Sequence, residues 1–187
     1  MLRLLAAAES IANRSPDGAS DRGSAEIVVV TGCHHREIQS ELLSAGKSSP
    51  GLIAENRDWA TGRASSIQLA VRTFPNRDLV LMPVDHPRIT APILDAMIGA
   101  WREAGSPAMG WLAPFHETGP GQRAFGHPIL LGRGLGPEVL DLAPGDPLRA
   151  VRAAADPLLA VQVASEAILE NLDTPSALEQ IQRADLP

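Results

Sequence analysis

Apolar runs alternate along this chain with segments whose apolar residues recur every three or four positions. Residues 26–32 and 78–82 are almost continuously apolar, which is typical of strands buried on both faces of a sheet. Ile38, Leu42 and Leu43 share one side of a helix predicted over 34–45. The same criteria predict strands at 51–55, 108–114, 127–131 and 158–163, and helices at 2–12, 65–72, 91–103, 137–142, 147–154 and 175–183. Polar, glycine-containing stretches at 13–25 and 115–125 are predicted to be loops.

Strands that alternate with helices indicate an α/β layered fold around a mostly parallel sheet. The chain has no internal repeat and no low-complexity linker, so residues 1–187 are expected to form a single domain. Ligands of such folds bind beyond the carboxyl ends of the strands. The positions to search for chemistry are therefore Thr31–Gly32, Glu55–Asn56, Val84–His86 and the loop before His127.

The charge balance and composition exclude several classes of protein. A formal net charge of −6 and a scarcity of aromatics (three Trp, three Phe and no Tyr) argue against a nucleic-acid binder. Cys33 is the only cysteine, which excludes an intrachain disulfide and a cysteine-built zinc site. No apolar run approaches the ~20 residues of a membrane helix. We therefore expect a cytoplasmic protein with neither a membrane nor a nucleic-acid partner.

Two aspartates stand where a metal site shared with phosphates could form. Asp85 follows a buried strand in the segment M-P-V-D-H-P, where a carboxylate can hold a hard cation such as Mg²⁺. Asp173 precedes a helix that has Pro175 in its first turn. The alternatives are structural, because Asp85 can cap the following turn and Asp173 can serve as the helix N-cap. If both bind a metal, their carboxylates should face one cleft.

Several segments, in order across residues 27–178, resemble the molybdenum-cofactor nucleotidyltransferases, the cytidylyl- and guanylyltransferase group with a MobA-like fold. Residues 28–32 and the helix after them are similar to that family's second strand and helix. Residues 56–66 match its N-x-x-W-x-x-G-x-x-S-S pattern, and residues 82–87 its aspartate segment. Residues 126–128 match a G-H-P loop and residues 173–175 a closing D-T-P.

This resemblance implies a three-layer, Rossmann-like nucleotide-diphospho-sugar transferase (GT-A-like) fold. It implies that the phosphate of molybdopterin attacks the α-phosphate of CTP or GTP and releases pyrophosphate, with a molybdoenzyme or its chaperone as a protein partner. Mg²⁺ would be held by the catalytic aspartates Asp85 and Asp173. The nucleotide would be bound by the residues of the second segment: Asn56, Gly62, Ser65 and Ser66.

The same resemblance assigns His127, and less strongly His86, to contacts with the substrate. The alternative for His127 is a buried structural histidine that is hydrogen-bonded to backbone.

The chain departs from the family pattern at its start. The family begins with a strand that runs into L-A-A-G-x-S-x-R-x-G and a later lysine, whereas Ala8 stands at the position of the key glycine. Residues 2–12 therefore correspond better to the helix that follows. We expect residues 1–187 to be an N-terminally incomplete domain that lacks the first strand and its phosphate loop.

Two other functions remain open on the sequence alone. One is a non-catalytic nucleotide-binding or regulatory module of the same fold, and the other is a sugar-phosphate nucleotidyltransferase. A related glycosyltransferase is disfavoured, because such enzymes typically use D-x-D and Asp85 is followed two positions later by Pro87.

Overall fold

The computed structural model describes residue 8, residues 25–44, residues 51–172 and residue 174. The described residues form seven strands: β1 Val28–Thr31, β2 Leu52–Glu55, β3 Leu79–Leu81, β4 Trp111–Gly119, β5 Gln122–Phe125, β6 Ile129–Leu131 and β7 Leu158–Gln162. They form four α-helices: α1 His35–Ser44, α2 Arg63–Thr73, α3 Ala91–Glu103 and α4 Gly136–Leu140. Shorter 3₁₀ helices lie at Trp59–Thr61, Arg133–Leu135, Leu148–Ala154 and Glu166–Ile168.

The strands belong to two sheets. β1 and β2 pair in parallel, with Val28 opposite Leu52. The larger sheet has the order β3-β6-β4-β5, and β7 adds to β4 in parallel. The pairs β3–β6, β4–β6 and β4–β5 are antiparallel. The α/β class and the parallel pairing are confirmed, and the larger sheet mixes both strand directions.

Helices cover both faces of the larger sheet. Leu112 of β4 packs with Met97 and Trp101 of α3 on one face. Trp111, the preceding residue, packs with Val71 of α2 and other side chains on the opposite face. Successive side chains of a strand point to opposite faces, so β4 contributes to both cores. This three-layer arrangement leaves the strand ends accessible, and the candidate residues lie there.

The predicted elements match the observed ones closely, with exceptions at the edge of the sheet. The prediction of a loop over residues 115–125 is wrong, because β4 continues to Gly119 and turns through Gly121 into β5. Phe115 and Phe125 pair across this hairpin with ring centroids 5.8 Å apart. Residues 148–154 form a 3₁₀ helix where an α-helix was predicted.

Two predicted helices lie mainly outside the described residues. Of the helix predicted at 2–12 only Ala8 is described, and it is helical. The helix predicted at 175–183 is not among the described residues. Within the described part of the chain, no helix has the length and apolar character needed to cross a membrane.

Candidate active site

Asp85, His86 and His127 come together although the two histidines are 41 positions apart in the sequence. The two imidazole rings lie 4.7 Å apart between centroids and are tilted by 58°. His86 is buried, with 6% of its surface exposed. Three buried polar atoms here, Asp85 Oδ1, His86 Nδ1 and His127 Nδ1, have no hydrogen-bond partner among the residues that the structure describes. Buried polar atoms are rarely left without partners, so this cluster is suited to binding a ligand.

Backbone contacts hold each member of the cluster in place. The N–H of His86 donates to the carbonyl of Pro83 (3.2 Å), which closes a turn after β3. The N–H of His127 donates to the carbonyl of Ile168 (2.9 Å), and Gly126 precedes it. A β-carbon at Gly126 would lie 2.1 Å from that Ile168 oxygen. Only glycine therefore fits before His127, which explains the G-H-P sequence in packing terms.

The pKa of His127 is lowered from 6.5, first by burial and then by the neighbouring His86 and Arg63, while Asp85 acts in the opposite direction. Burial disfavours the charged form of the ring, and the nearby Arg63 guanidinium adds to that effect. His127 is therefore neutral at neutral pH. A neutral imidazole offers one donor and one acceptor to a ligand.

Asp173 lies outside the described residues, so its predicted pairing with Asp85 stays a prediction. The segment that leads to it is held against the cluster. The N–H of Leu172 donates to the carbonyl of Asp85 (2.8 Å). Arg88 and Glu170 form an ion pair 2.9 Å long in the same region.

Asn56 organises a second group of predicted residues. Its side chain is buried, and its Nδ2 donates to Ser65 Oγ (2.8 Å) and Ser66 Oγ (2.9 Å). Its Oδ1 accepts from the N–H of Asp58 (3.0 Å). These bonds satisfy the amide within the protein, so Asn56 fixes the loop between β2 and α2.

The two serines differ in what they can still offer a ligand. Ser65 Oγ accepts from Asn56 and donates to the Gly62 carbonyl (2.7 Å), which commits both functions of its hydroxyl. Ser66 Oγ accepts from Asn56, and its proton has no recorded acceptor in the described part of the chain. Of the two, Ser66 is the better candidate for a ligand contact.

Gly62 precedes α2 with a φ of 138°, a conformation that L side chains rarely adopt. A β-carbon there would lie 2.0 Å from the carbonyl oxygen of Pro144. The family resemblance assigns this glycine to the binding of the nucleotide. The close approach in the structure is to Pro144.

Arg63 is a site residue that the sequence analysis did not single out. It is exposed at the first position of α2, and its charge acts on His127. A cation in the first turn of a helix opposes the helix dipole, so it is locally unfavourable. A basic residue at the start of a predicted helix was therefore the signal by which the sequence could have indicated a role for Arg63. Arg63 connects the histidine cluster to the Asn56–Ser66 loop.

A metal ion bound at this site would be held through Asp85. Among the described residues, no group of three or more His, Cys, Asp or Glu side chains could hold a metal ion. Asp85 Oδ1 is nonetheless buried without a partner, and carboxylate oxygen is a preferred ligand of Mg²⁺. Mg²⁺ is commonly bound through one or two carboxylates together with substrate phosphates. The residues present fit such a site.

Several solved structures share this fold at low sequence identity. Rv0371C of Mycobacterium tuberculosis H37Rv, in complex with manganese, is 18% identical with a TM-score of 0.64, and the match covers 97% of this chain and 86% of that one. A CMP:2-keto-3-deoxy-manno-octonic acid synthetase complexed with CTP is 13% identical with a TM-score of 0.69 and coverages of 98% and 86%. The molybdopterin-guanine dinucleotide biosynthesis protein A of Archaeoglobus fulgidus is 16% identical with a TM-score of 0.52 and coverages of 83% and 77%.

These likenesses show a nucleotidyltransferase fold of the Rossmann-like nucleotide-diphospho-sugar type. No curated protein sequence matches the chain significantly. The sequence pattern of the MobA-like NTP transferase domain matches residues 2–161 of the 187. The chain therefore belongs to the MobA-like NTP transferase family of nucleotidyltransferases.

Proposed function

We propose that this protein transfers CMP or GMP from CTP or GTP to the terminal phosphate of a molybdopterin-type acceptor in the cytoplasm. The observation that carries the proposal is the convergence, in a chain of this family, of three buried atoms on Asp85, His86 and His127 that no described residue partners. One carboxylate oxygen and two imidazole nitrogens suit a metal-phosphate ligand better than an apolar one. Of the solved structures described above, one is a molybdopterin-guanine dinucleotide biosynthesis protein.

Asp85 and Asp173 would hold Mg²⁺. When bound there, the ion would supply positive charge that offsets the charge growing on the phosphates during transfer. The bare Oδ1 of Asp85 supports this role, and so does the anchoring of Leu172 on Asp85. The reported complex of Rv0371C with manganese is consistent with a divalent cation in this fold.

The start of α2 would bind the triphosphate. Helix N-termini present free N–H groups and a partial positive charge to anions, and α2 carries Arg63 at its first position. Ser66 has a hydroxyl proton to donate. Asn56, Ser65 and Gly62 act indirectly, since they hold this loop in place. Arg63 would also neutralise phosphate charge next to His127.

The reaction needs alignment more than acid or base catalysis. An oxygen of the acceptor phosphate forms a bond to the α-phosphorus while the bond from that phosphorus to the bridging oxygen breaks. Pyrophosphate leaves with the electron pair of that bond. Neutral His127 and its neighbour His86 would orient the acceptor phosphate by hydrogen bonds, because their Nδ1 atoms have no partner in the part of the chain that the structure describes.

The test is a transfer assay with the purified chain. CTP or GTP, Mg²⁺ or Mn²⁺, and a molybdopterin acceptor are incubated together, and both pyrophosphate and the dinucleotide product are measured. We expect product with one of the two nucleotides and a strong loss in Asp85→Asn. Asp141→Asn, which alters an exposed carboxylate at the end of α4, serves as the matched control and should remain active.

Other acceptors separate the competing functions. Turnover with a sugar phosphate or sugar acid but not with molybdopterin would favour an activity like that of the neighbour complexed with CTP. Nucleotide binding by calorimetry without pyrophosphate release from any acceptor would favour a non-catalytic binding module. Either result would refute the proposed acceptor.

A further inference from the structure

β1 and β3 are neighbours in the sheet layer, yet they do not pair with each other. Among the strands that the structure describes, β1 pairs only with β2, and β3 pairs only with β6. Glu26, just before β1, and Arg77, just before β3, form an ion pair 3.2 Å long. The amino ends of the two strands therefore lie side by side, although they belong to separate sheets.

Helix α2 covers one face of the break between these strands. It contacts β1, and its Val71 packs with Leu79 and Leu81 of β3. On the opposite face Val80 of β3 is 37% exposed, whereas Leu130, its partner on β6, is 3% exposed. The break is therefore a groove with a helix as its floor and an exposed apolar side chain at its rim. We call it the β1–β3 groove.

The two strands beside the groove run in the same direction. Asn56, which directly follows β2, bonds to the first turn of α2, and β2 is parallel to β1. Arg63 of the same turn acts on His127, which lies against His86 just beyond β3. The carboxyl ends of β1 and β3 therefore both lie at the start of α2, while their amino ends lie at the ion pair.

The β1 side of the groove presents backbone groups that no described residue partners. The carbonyls of Ile27 and Thr31 accept hydrogen bonds from the β2 side. Backbone groups alternate between the two neighbours of a strand, so the N–H and C=O of Val28 and Val30 point into the groove. Both valines are half-buried, which limits the access of water to these groups. Shielded backbone groups without partners are costly, so this edge favours a hydrogen-bonding partner.

An extended polypeptide strand fits the groove better than any other ligand. Hydrogen-bonded strands lie about 4.8 Å apart, so one inserted strand needs about 10 Å between β1 and β3, which the extended Glu26 and Arg77 side chains can together span. Only an extended chain offers N–H and C=O groups to two edges at the spacing of a ladder. Both flanking strands are apolar throughout, which is typical of a sheet that is buried on both faces.

We propose that the β1–β3 groove binds one β-strand of a separate polypeptide. The inserted strand would be apolar, about as long as the four residues of β1, and parallel to both edges. It would join the two sheets of this chain into one. This interaction goes beyond the proposed function and does not depend on it, since the residues assigned to the reaction lie beyond the strand ends.

A peptide with the sequence of residues 26–32 serves as the probe, because that segment already forms an apolar strand. The peptide carries cysteine at the position of Val29, and the protein carries Val80→Cys together with Cys33→Ser. Side chains opposite each other on adjacent strands have β-carbons about 5 Å apart, close to the separation in a disulfide. We expect the peptide to form a disulfide with Val80→Cys.

Two matched variants place the thiol on other strand edges. Leu52→Cys on β2 and Leu158→Cys on β7, each with Cys33→Ser, alter apolar residues that are exposed on outer strands. Neither should capture the peptide above background. Circular dichroism checks that the three cysteine variants are folded. The unaltered protein provides a measurement without any variant, because the cysteine-free peptide should raise its Tm by binding the folded state.

N-methylation of the peptide distinguishes a groove from a single edge. Successive N–H groups of a strand point to opposite neighbours, so a strand inside the groove uses both alternating sets. One peptide is methylated at its odd-numbered amide nitrogens and another at its even-numbered ones. Both should lose capture by Val80→Cys. Full capture of either methylated peptide would mean addition to one edge only and would refute the groove.

Other results would also overturn the proposal. These are equal capture by all three cysteines, or the absence of both capture and a rise in Tm. A dimer that forms with increasing concentration of the unaltered protein, measured by light scattering and dissociated by Val80→Lys, would place a second copy of this chain at the groove instead. None of these measurements uses the transfer reaction, so the proposed function stands or falls separately.

Discussion

Asn56→Ala tests whether the loop before α2 depends on one buried amide. The substitution removes two bonds to Ser65 and Ser66 and one from the N–H of Asp58. At about 1 kcal/mol for each bond, plus the small cavity left by the amide, the free energy of unfolding should fall by about 2–4 kcal/mol. For a domain of this size, that corresponds to a drop of about 5–15 °C in Tm.

Urea or thermal unfolding followed by circular dichroism measures the change. Ser66→Ala is the matched control, because it removes only one of these bonds and should cost about 1 kcal/mol. Asn56→Asp keeps the acceptor for Asp58 but loses the donor to the serines, so it should fall between the two. Unchanged stability in Asn56→Ala together with weaker nucleotide binding would refute the reasoning, since Asn56 would then contact the ligand directly.

Three further predictions follow from the site. The lowered pKa of His127 means that its neutral form contributes stability above pH 6.5, and this is lost as pH falls from there toward the folded-state pKa. When the pH is lowered from 8 to about 5.5 in one buffer, the Tm of His127→Gln should therefore fall less than the Tm of the unaltered protein. An equal fall in both proteins would contradict the lowered pKa of His127. Asp85→Asn should leave Tm nearly unchanged, because Oδ1 has no described partner, while the rise in Tm given by Mg²⁺ plus nucleotide disappears. A collapse of the fold would instead support a structural role for this carboxylate. Gly62→Ala should destabilise by about 2–4 kcal/mol through its backbone strain and the clash with Pro144, whereas Gly99→Ala, inside α3 with open space around it, should stabilise by about 0.5–1 kcal/mol in urea unfolding.

Local sequence was sufficient to predict the elements with a strong hydrophobic periodicity and to identify the family. The helix predicted at 91–103 is α3 to the residue, and the apolar runs at 26–32 and 78–82 contain β1 and β3. The ordered segments across residues 27–178 led to the MobA-like family, which the match over residues 2–161 confirms. Hydrophobic spacing and turn residues act over a few positions, so a single sequence records them directly.

Tertiary structure alone decided which of these residues share a site and what each can still bind. The hairpin of β4 and β5 brings Phe115 opposite Phe125, and its polar residues carry no clear alternation. The two serines of the motif look equivalent in sequence, yet Ser65 donates its proton to the Gly62 carbonyl, whereas the Ser66 proton has no acceptor among the described residues. Likewise, the packing of Trp59 against Gly32, where a β-carbon would lie 2.9 Å from Trp59 Cβ, joins two residues that are distant in sequence. Hydrogen-bond partners and packing neighbours are set by residues far apart in the chain, so no local pattern could specify them.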